Sequence, residues 1–176
     1  VENVINVRMY GQRVIAAADC NVDPNNMKCV SVYPPTGRVG TPVLPQYDLV
    51  DKMKSWFDLT GVWTTHATGT YAVECSSKTD DLNRAPYTLF FPLNAQSGAD
   101  FGLNRYNSLN GNWNSLSNSY LIEGYMGDWV TFTSPEAFRL THYQLIPHSP
   151  LVCGPKSYRI YGRNGMGVWN LVLNSE

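Results

Sequence analysis

The feature that most constrains the fold is a succession of short runs of β-branched and aromatic residues after Leu59, each closed by turn-forming residues. The runs are roughly five to eight residues long, the usual length of a strand. They are GVWTT, TYAVECS, YTLFFPL, SYLIEGY, DWVTFT, FRLTHYQLIP, SYRIYG and VWNLVLN. Many short strands with almost no helical periodicity predict an antiparallel sandwich or barrel.

Alternation within one run indicates what the core contains. In DWVTFT, Trp129, Thr131 and Thr133 share one face of a strand, and Val130 and Phe132 share the other. The sequence therefore predicts an aromatic-rich core.

The N-terminal third is organised differently. INVRMYG and RVIAAA are short extended runs that we expect to be split by Gly11. Residues 33–46 hold four prolines, which exclude helix interiors and central strands and predict a linker or a surface-wrapping loop. After a possible cap at Asp48, YDLVDKMKSWF has helical spacing, which predicts one short helix. The residues at this spacing are Leu49, Val50, Met53, Trp56 and Phe57.

The segment 157–174 predicts a β-hairpin at the end of the chain. Asn164 and Gly165 both tolerate positive φ, and they form a strong turn dipeptide. We expect Tyr158 and Ile160 to face Trp169 and Leu171 across the two strands. A glycine-rich phosphate cradle is disfavoured because the glycine spacing is wrong and the segment leads into a strand rather than a helix.

Composition excludes several partners. Charged residues make up 15% of the 176, and the formal net charge is -1, so no basic field attracts nucleic acid. No apolar run approaches the roughly 20 residues that span a bilayer, and the N-terminus lacks a signal-peptide pattern. Because the chain begins without Met, we expect a processed product or a fragment of a longer polypeptide.

No catalytic pattern is present, and we predict that the protein is not an enzyme and uses no cofactor or metal. The sequence has no G-x-S-x-G elbow, no HExxH and no CxxC. The adjacent acids Asp80 and Asp81 fit a solvated loop better than an acid/base pair. His66, His142 and His148 have no triad partners in the sequence, and we expect all three to be structural or exposed.

The four cysteines are Cys20, Cys29, Cys75 and Cys153, and the sequence cannot choose among their three pairings. Cys20 and Cys29 bracket a turn-rich loop, which favours a local bridge between them in an oxidising compartment. The alternative is that all four are reduced thiols.

The stretch from Gly124 to Val172 resembles the discoidin, or coagulation factor type C, domain, an eight-stranded jelly-roll (galactose-binding-like) sandwich. In that family a strand with Trp and alternating apolar residues is followed by a proline-marked turn and a long strand. Here these are Trp129 to Phe132, Pro135, and Leu140 to Ile146. The family's final hairpin pattern is matched by Pro155, Ser157, Tyr158, Ile160, Gly162, Asn164, Gly165, Trp169 and Val172. The likeness covers roughly residues 59–174.

Two departures from the family follow. The turn is Arg163-Asn164-Gly165-Met166, without the family's Asp, and the chain stops where the family continues for one or two strands. The family's ending is instead similar to residues 4–11. We therefore expect either a window cut from a tandem array or a permuted sandwich. Because an open edge leaves backbone groups unpaired, we predict that residues 4–10 pair with the sandwich or with a neighbouring copy.

The expected organisation has three parts. Residues 1–16 form the strand or strands resembling the family's last, 17–58 are a Pro-rich arm with a short helix, and 59–176 are the discoidin-like sandwich. The expected fold class is thus an all-β antiparallel jelly roll with an extended Pro-rich N-terminal arm and at most one short helix.

The resemblance implies binding by loops at one end of the sandwich, to a glycan or to a protein surface. The loop of residues 100–119 is rich in Asn and Ser, and sugars favour an aromatic plate beside amides. The predicted ligand residues are Arg105, Tyr106, Asn110, Asn112, Trp113 and Asn114. The alternative is that Trp113 and Tyr106 plug the core beneath a long crossover.

Two functions stay open at this point. The first is a secreted or displayed adhesion module that binds carbohydrate or a surface partner, and the second is a structural or cement protein of a large assembly. Domains similar to this one also occur in the virions of large double-stranded DNA viruses, so the expected location is extracellular or in a virion capsid.

Overall fold

The computed structural model describes residues 4–13, 31–35, 46–47, 54–60, 66–76, 89–90, 99–100, 122, 124–125, 127–147, 155 and 157–175. Within these ranges every regular element of more than one residue is a β-strand, and all pairings are antiparallel. The expectation of an all-β antiparallel fold is confirmed for these residues. The predicted local bridge Cys20–Cys29 and most of the predicted Pro-rich arm lie outside the described residues.

Ten strands are described. They are β1 (Val4–Arg13), β2 (Ser31–Tyr33), β3 (Gln46–Tyr47), β4 (Lys54–Leu59), β5 (Gly69–Cys75), β6 (Ala99–Asp100), β7 (Val130–Thr133), β8 (Phe138–Pro147), β9 (Tyr158–Gly162) and β10 (Asn170–Ser175). They form two four-stranded sheets and one two-stranded hairpin.

The first sheet is built around β1. Strand β8 pairs along one edge of β1 from Ile5↔Pro147 to Arg13↔Phe138, and β2 and β6 pair along the other edge. Of the two predicted alternatives, pairing with the sandwich or with a neighbouring copy, residues 4–10 therefore pair within the chain, with β6 and β8 of the region 59–176. A strand from the very start of the chain thus fills the centre of a sheet whose longest neighbour lies more than a hundred residues later.

Gly11 does not split β1, contrary to expectation; it lies at an irregularity within a continuous strand. The register shifts between Tyr10 and Gly11, and Thr141 of β8 is left out of the pairing, its hydroxyl donating to the carbonyl of Tyr10 at 3.0 Å. A Cβ on residue 11 would lie 2.5 Å from Cδ2 of Phe138. Glycine is required here because the backbone passes directly against that ring.

The second sheet has the order β3-β4-β5-β7. The predicted helix is wrong for residues 54–57, which belong to β4, while residues 48–53 lie outside the described residues. In β4 the buried residues are Ser55, Phe57 and Leu59, with a period of two. Pairing with β5 and burial of one strand face overrode the weak helical spacing, because propensity is a small term beside tertiary burial.

Both sheets contribute to one hydrophobic core. Its buried members are Tyr33, Phe57, Leu59, Tyr71, Val73, Leu89 and Phe90. Phe132 of β7 meets Phe138 of β8 edge-on with ring centroids 5.8 Å apart, and the ring of Phe138 stacks on Tyr33 at 4.3 Å. The ring contacts join the two sheets, and the predicted aromatic-rich core is confirmed in the described residues. Val130 and Phe132 pack against it.

Three of the runs predicted after Leu59 are confirmed as strands β5, β7 and β8, whereas two runs deviate. Leu89 and Phe90, expected in a strand, form a tight turn and are nonetheless buried. Within SYLIEGY, the amide of Tyr125 donates to the carbonyl of Ile122 at 3.1 Å, which closes a turn instead of extending a strand. Residues 89–90 are therefore apolar because they are buried, and not because they belong to a strand.

The predicted C-terminal hairpin is confirmed as β9 and β10, but its register differs from the expectation. Ile160 pairs with Leu173 and Tyr158 with Ser175, since an irregularity between Leu171 and Leu173 leaves Val172 unpaired. Trp169 lies before β10 rather than opposite β9. The expected domain boundaries stay predictions; β4 itself runs across residues 58–59 and pairs with β5.

Candidate functional site

The ligand residues predicted from sequence cannot be placed. Arg105, Tyr106, Asn110, Asn112, Trp113 and Asn114 all lie outside the described residues. Their assignment to a carbohydrate site stays a prediction, as does the alternative that Trp113 and Tyr106 plug the core.

Most of the large apolar side chains exposed in the described ranges gather on one element, the C-terminal hairpin (residues 157–175). Met166 is 100% exposed and Val168 83%, while Leu171 and Val172 of β10 are 54% and 59% exposed. Val32 of β2 is the remaining exposed one, at 36%. Because large apolar side chains are usually buried, this group of exposed ones makes the hairpin the candidate functional site.

The tip of the hairpin, residues 163–169, is ordered by local chemistry. Gly165 has φ of 55°, the left-handed conformation that the Asn-Gly dipeptide was expected to supply. The amide of Gly167 donates to the carbonyl of Asn164 at 3.0 Å. A Cβ on residue 167 would lie 2.9 Å from that carbonyl oxygen, so glycine permits this close turn.

Two further contacts brace the tip against its strands. The guanidinium of Arg163 lies over the Trp169 ring, 4.3 Å from its centroid, and the side-chain amide of Asn170 donates to the carbonyl of Val168 at 3.0 Å. A cation over an indole face is attracted by the ring quadrupole. Met166 and Val168 are thus presented outward on a braced turn.

The base of the hairpin contacts the rest of the protein. The hydroxyls of Tyr143 and Tyr158 lie 2.9 Å apart with their rings edge-on, and this hydrogen bond raises the pKa of Tyr143. Arg159 donates to the Asn174 side chain at 3.0 Å and lies over the Tyr125 ring at 4.5 Å. One end of the hairpin is therefore anchored, and the other projects.

The charge of the hairpin is of one sign. Residues 157–175 include Arg159 and Arg163 and no Asp or Glu. Arg163 lies in the tip with Met166 and Val168, whereas Arg159 lies at the base of the hairpin.

A second cluster of polar groups lies beside β1, β2 and the β7–β8 turn, and it is structural. Arg13 binds Glu136 through two hydrogen bonds of 3.0 and 3.1 Å. Burial raises the pKa of Tyr33, and it raises the pKa of Tyr71 to about 12, so both phenols are neutral near pH 7. The Tyr71 hydroxyl donates to the carbonyl of Ala67 at 2.7 Å.

His66 belongs to this same cluster. Its Nε2 donates to the carbonyl of Val32 at 2.8 Å, and its ring lies against Tyr33 with centroids 4.8 Å apart. Burial lowers its pKa. The expectation of structural or exposed histidines holds for His66 and for His142, which is exposed on β8; His148 lies outside the described residues.

The described residues offer no metal centre: no three His, Cys, Asp or Glu side chains among them are grouped to hold an ion. Cys75 is buried at the end of β5, and Cys20, Cys29 and Cys153 lie outside the described residues, so the predicted cysteine pairings stay open. In the same ranges, no helix is long and apolar enough to cross a membrane.

Comparison with known protein families, curated proteins and solved structures finds no match to this chain. The likeness to the discoidin domain therefore stays an interpretation of sequence motifs.

The sequence analysis predicts this hairpin but names none of its exposed residues as candidate binding residues. The signal was present in the tetrapeptide Gly165-Met166-Gly167-Val168, where two apolar residues alternate with glycines inside a turn. A turn extends beyond the ends of its two strands. Apolar side chains in the turn therefore do not lie on the face that those strands bury.

Proposed function

We propose that this protein is a non-catalytic binding module that docks on a surface partner through the tip of its C-terminal hairpin. The observation that carries the proposal is the complete exposure of Met166, beside a nearly fully exposed Val168, on a turn with a defined hydrogen-bonding pattern. Leaving these side chains in water forgoes the burial free energy that a partner can supply.

The order of the tip favours recognition. Association is weakened by the entropy lost when flexible groups are fixed, and a turn that is already braced loses less of it. The tip also combines the residue types that dominate binding energy at interfaces, here Trp169 and Arg163 beside an apolar anchor.

The chemistry of the tip favours a protein surface over a sugar. Sugar rings stack on open aromatic faces, whereas one face of Trp169 carries the Arg163 guanidinium. The most exposed groups, Met166 and Val168, are aliphatic and fit an apolar hollow. Carbohydrate binding by Arg105, Tyr106 and Trp113 stays a separate prediction.

We further propose a jelly-roll sandwich of the discoidin type, in an extracellular or virion setting, for this module. Two four-stranded antiparallel sheets that share one aromatic core, followed by a final hairpin, support that fold. The second candidate function is that of a structural or cement protein of an assembly such as a large viral capsid. The uncharged exposed strand β10 favours it, because assembly proteins use such edges.

The test measures binding of fluorescently labelled protein to cultured-cell surfaces and to a glycan array. The double variant Met166→Asp/Val168→Asp should lose cell-surface binding at least tenfold, because two carboxylates would have to be desolvated in the contact. Thr133→Asp, which adds a carboxylate at an exposed site on β7, is the matched control and should bind like the wild type.

Other results would redirect the assignment. Glycan binding that is lost in Trp113→Ala and kept in the double variant would place recognition in the 100–119 loop. Wild-type protein that binds neither cells nor glycans would contradict the adhesion module and favour the assembly role.

A further inference from the structure

Strand β10 is an exposed edge. It pairs with β9 along one side, and no other strand of the described chain pairs along its second side. Leu171 and Val172 are adjacent in this strand and both are exposed.

The other edges of the described sheets are short or carry blocking residues. Strands β2, β3, β6 and β7 have only two to four residues each. Strand β8 contains Arg139 and ends at Pro147, and β9 contains Arg159. Natural sheets prevent edge pairing by these means. Strand β10, Asn-Leu-Val-Leu-Asn-Ser, has six residues with neither charge nor proline.

We propose that two copies of this protein associate by antiparallel pairing of their β10 strands across a twofold axis. A twofold contact requires a surface that is complementary to itself. A strand without charged residues meets this requirement because its two copies do not repel each other electrostatically. Antiparallel pairing also places the basic tips at opposite ends of the contact. Six residues span about 20 Å, beyond the Debye length of about 8 Å at physiological salt.

Pairing would complete an element that is small by itself. A two-stranded hairpin in water is marginally stable, and three or more strands are normally needed. Joining two copies gives the order β9-β10-β10-β9, a four-stranded sheet in which β10 becomes central. The exposed Leu171 and Val172 of each copy then lie beside those of the other.

This contact is separate from the surface proposed for docking on a partner. Met166 lies in the tip, outside β10, so Met166→Asp/Val168→Asp should leave association between copies intact. Failure of either proposal can therefore be recognised without the other.

The first test is sedimentation equilibrium of the purified chain from about 1 to about 300 µM. Wild-type protein should show a monomer–dimer equilibrium, and Val172→Lys should weaken it at least tenfold by placing an ammonium group at the contact. Val32→Lys, the same change at the exposed large apolar residue that lies outside the hairpin, should dimerise like the wild type. A wild type that stays monomeric, or a Val172→Lys variant that dimerises normally, overturns the proposal.

A second measurement needs no variant. Amide hydrogen exchange of the wild type at the two ends of this concentration range should differ at residues 170–175, with slower exchange at high concentration. Equal exchange rates at these amides in a sample that dimerises would place the contact elsewhere and overturn the proposal.

Discussion

The two sheets (β1–β8, the body) and the C-terminal hairpin are built from similar residues but bury them very differently. In the body, β5 buries every second residue, and Tyr71 at its centre is 0% exposed. In the hairpin, β10 has three exposed residues in succession, Asn170, Leu171 and Val172. An apolar β-run therefore indicates a strand without indicating whether that strand lies in a core.

The difference shows where each region obtains its stability. The body is stabilised by apolar burial between sheets, as in the edge-on contact of Phe132 with Phe138, whose centroids are 5.8 Å apart. The hairpin is stabilised by its turn, its cross-strand pairing and a few contacts at its base. The hairpin keeps apolar side chains exposed to solvent, and these side chains are available to contact a partner.

The largest effect should come from truncating the core. Phe57→Ala should lower the free energy of unfolding by about 3–5 kcal/mol, because it removes a fully buried ring and leaves a cavity. Met166→Ala, a truncation in the hairpin, should change it by about 0.5 kcal/mol or less. Urea titration monitored by circular dichroism measures both. Equal losses would contradict the contrast between body and hairpin.

Glycine replacement compares the two regions with one substitution. Gly11→Ala should cost about 1–3 kcal/mol, because the new Cβ would clash with the Phe138 ring. Gly162→Ala should be neutral or slightly stabilising, since its Cβ would lie 3.6 Å from Val172 in ordinary contact. Thermal unfolding of both variants checks the prediction, and a stable Gly11→Ala would disprove the close approach at the irregularity of β1.

Removing a hydroxyl should stabilise the body. The Ser55 hydroxyl is fully buried with no hydrogen-bond partner in the described part of the chain. Ser55→Ala should therefore raise the free energy of unfolding by about 1 kcal/mol, because an unsatisfied buried hydroxyl is costly. Ser157→Ala, at an exposed site in the hairpin, is the control and should have little effect. A destabilised Ser55→Ala would indicate that the hydroxyl does have a partner.

The smallest expected effect is a pH dependence confined to the body. Burial lowers the pKa of His66 in the folded protein. Below the ordinary histidine pKa of about 6.5, the unfolded chain therefore binds more protons at this residue than the folded protein does. This contribution to stability is fully present above that pH and is lost as pH falls through the lowered folded-state pKa.

The melting temperature should therefore fall less in His66→Gln than in the wild type between about pH 7.5 and about pH 5. This range includes the ordinary pKa of histidine, about 6.5. Met166→Gln, which puts the same residue on the hairpin, should keep the wild-type dependence. An unchanged slope in His66→Gln would show that other groups account for it.

The strands could be predicted where alternation and turn signals agreed. In DWVTFT, alternation correctly put Val130 and Phe132 on one face of a strand, and both pack against the core. Prediction failed where burial occurs without strand pairing, as at Leu89 and Phe90, and where a strand has helical spacing, as at Trp56 and Phe57. In both cases the apolar composition correctly indicated burial, whereas the backbone conformation depended on residues distant in the sequence.

The candidate site was harder to predict than the fold. Asn164 and Gly165 correctly indicated a turn, but the sequence could not show that Met166 and Val168 point away from all other described elements. Exposure is a property of the whole packed molecule, and a short apolar segment contains no information about what covers it. The ligand residues predicted in the 100–119 loop remain to be tested by binding.

The sequence by itself determined that the described chain is made of antiparallel strands, because alternation and turn chemistry are local and act over a few residues. The tertiary structure alone decided the neighbours: β1 beside β8 rather than alone, β4 as a strand rather than a helix, and Val172 unpaired at an irregularity of register. Pairing and burial depend on contacts between segments that can lie more than a hundred residues apart. The free energy of these contacts outweighs local conformational preference.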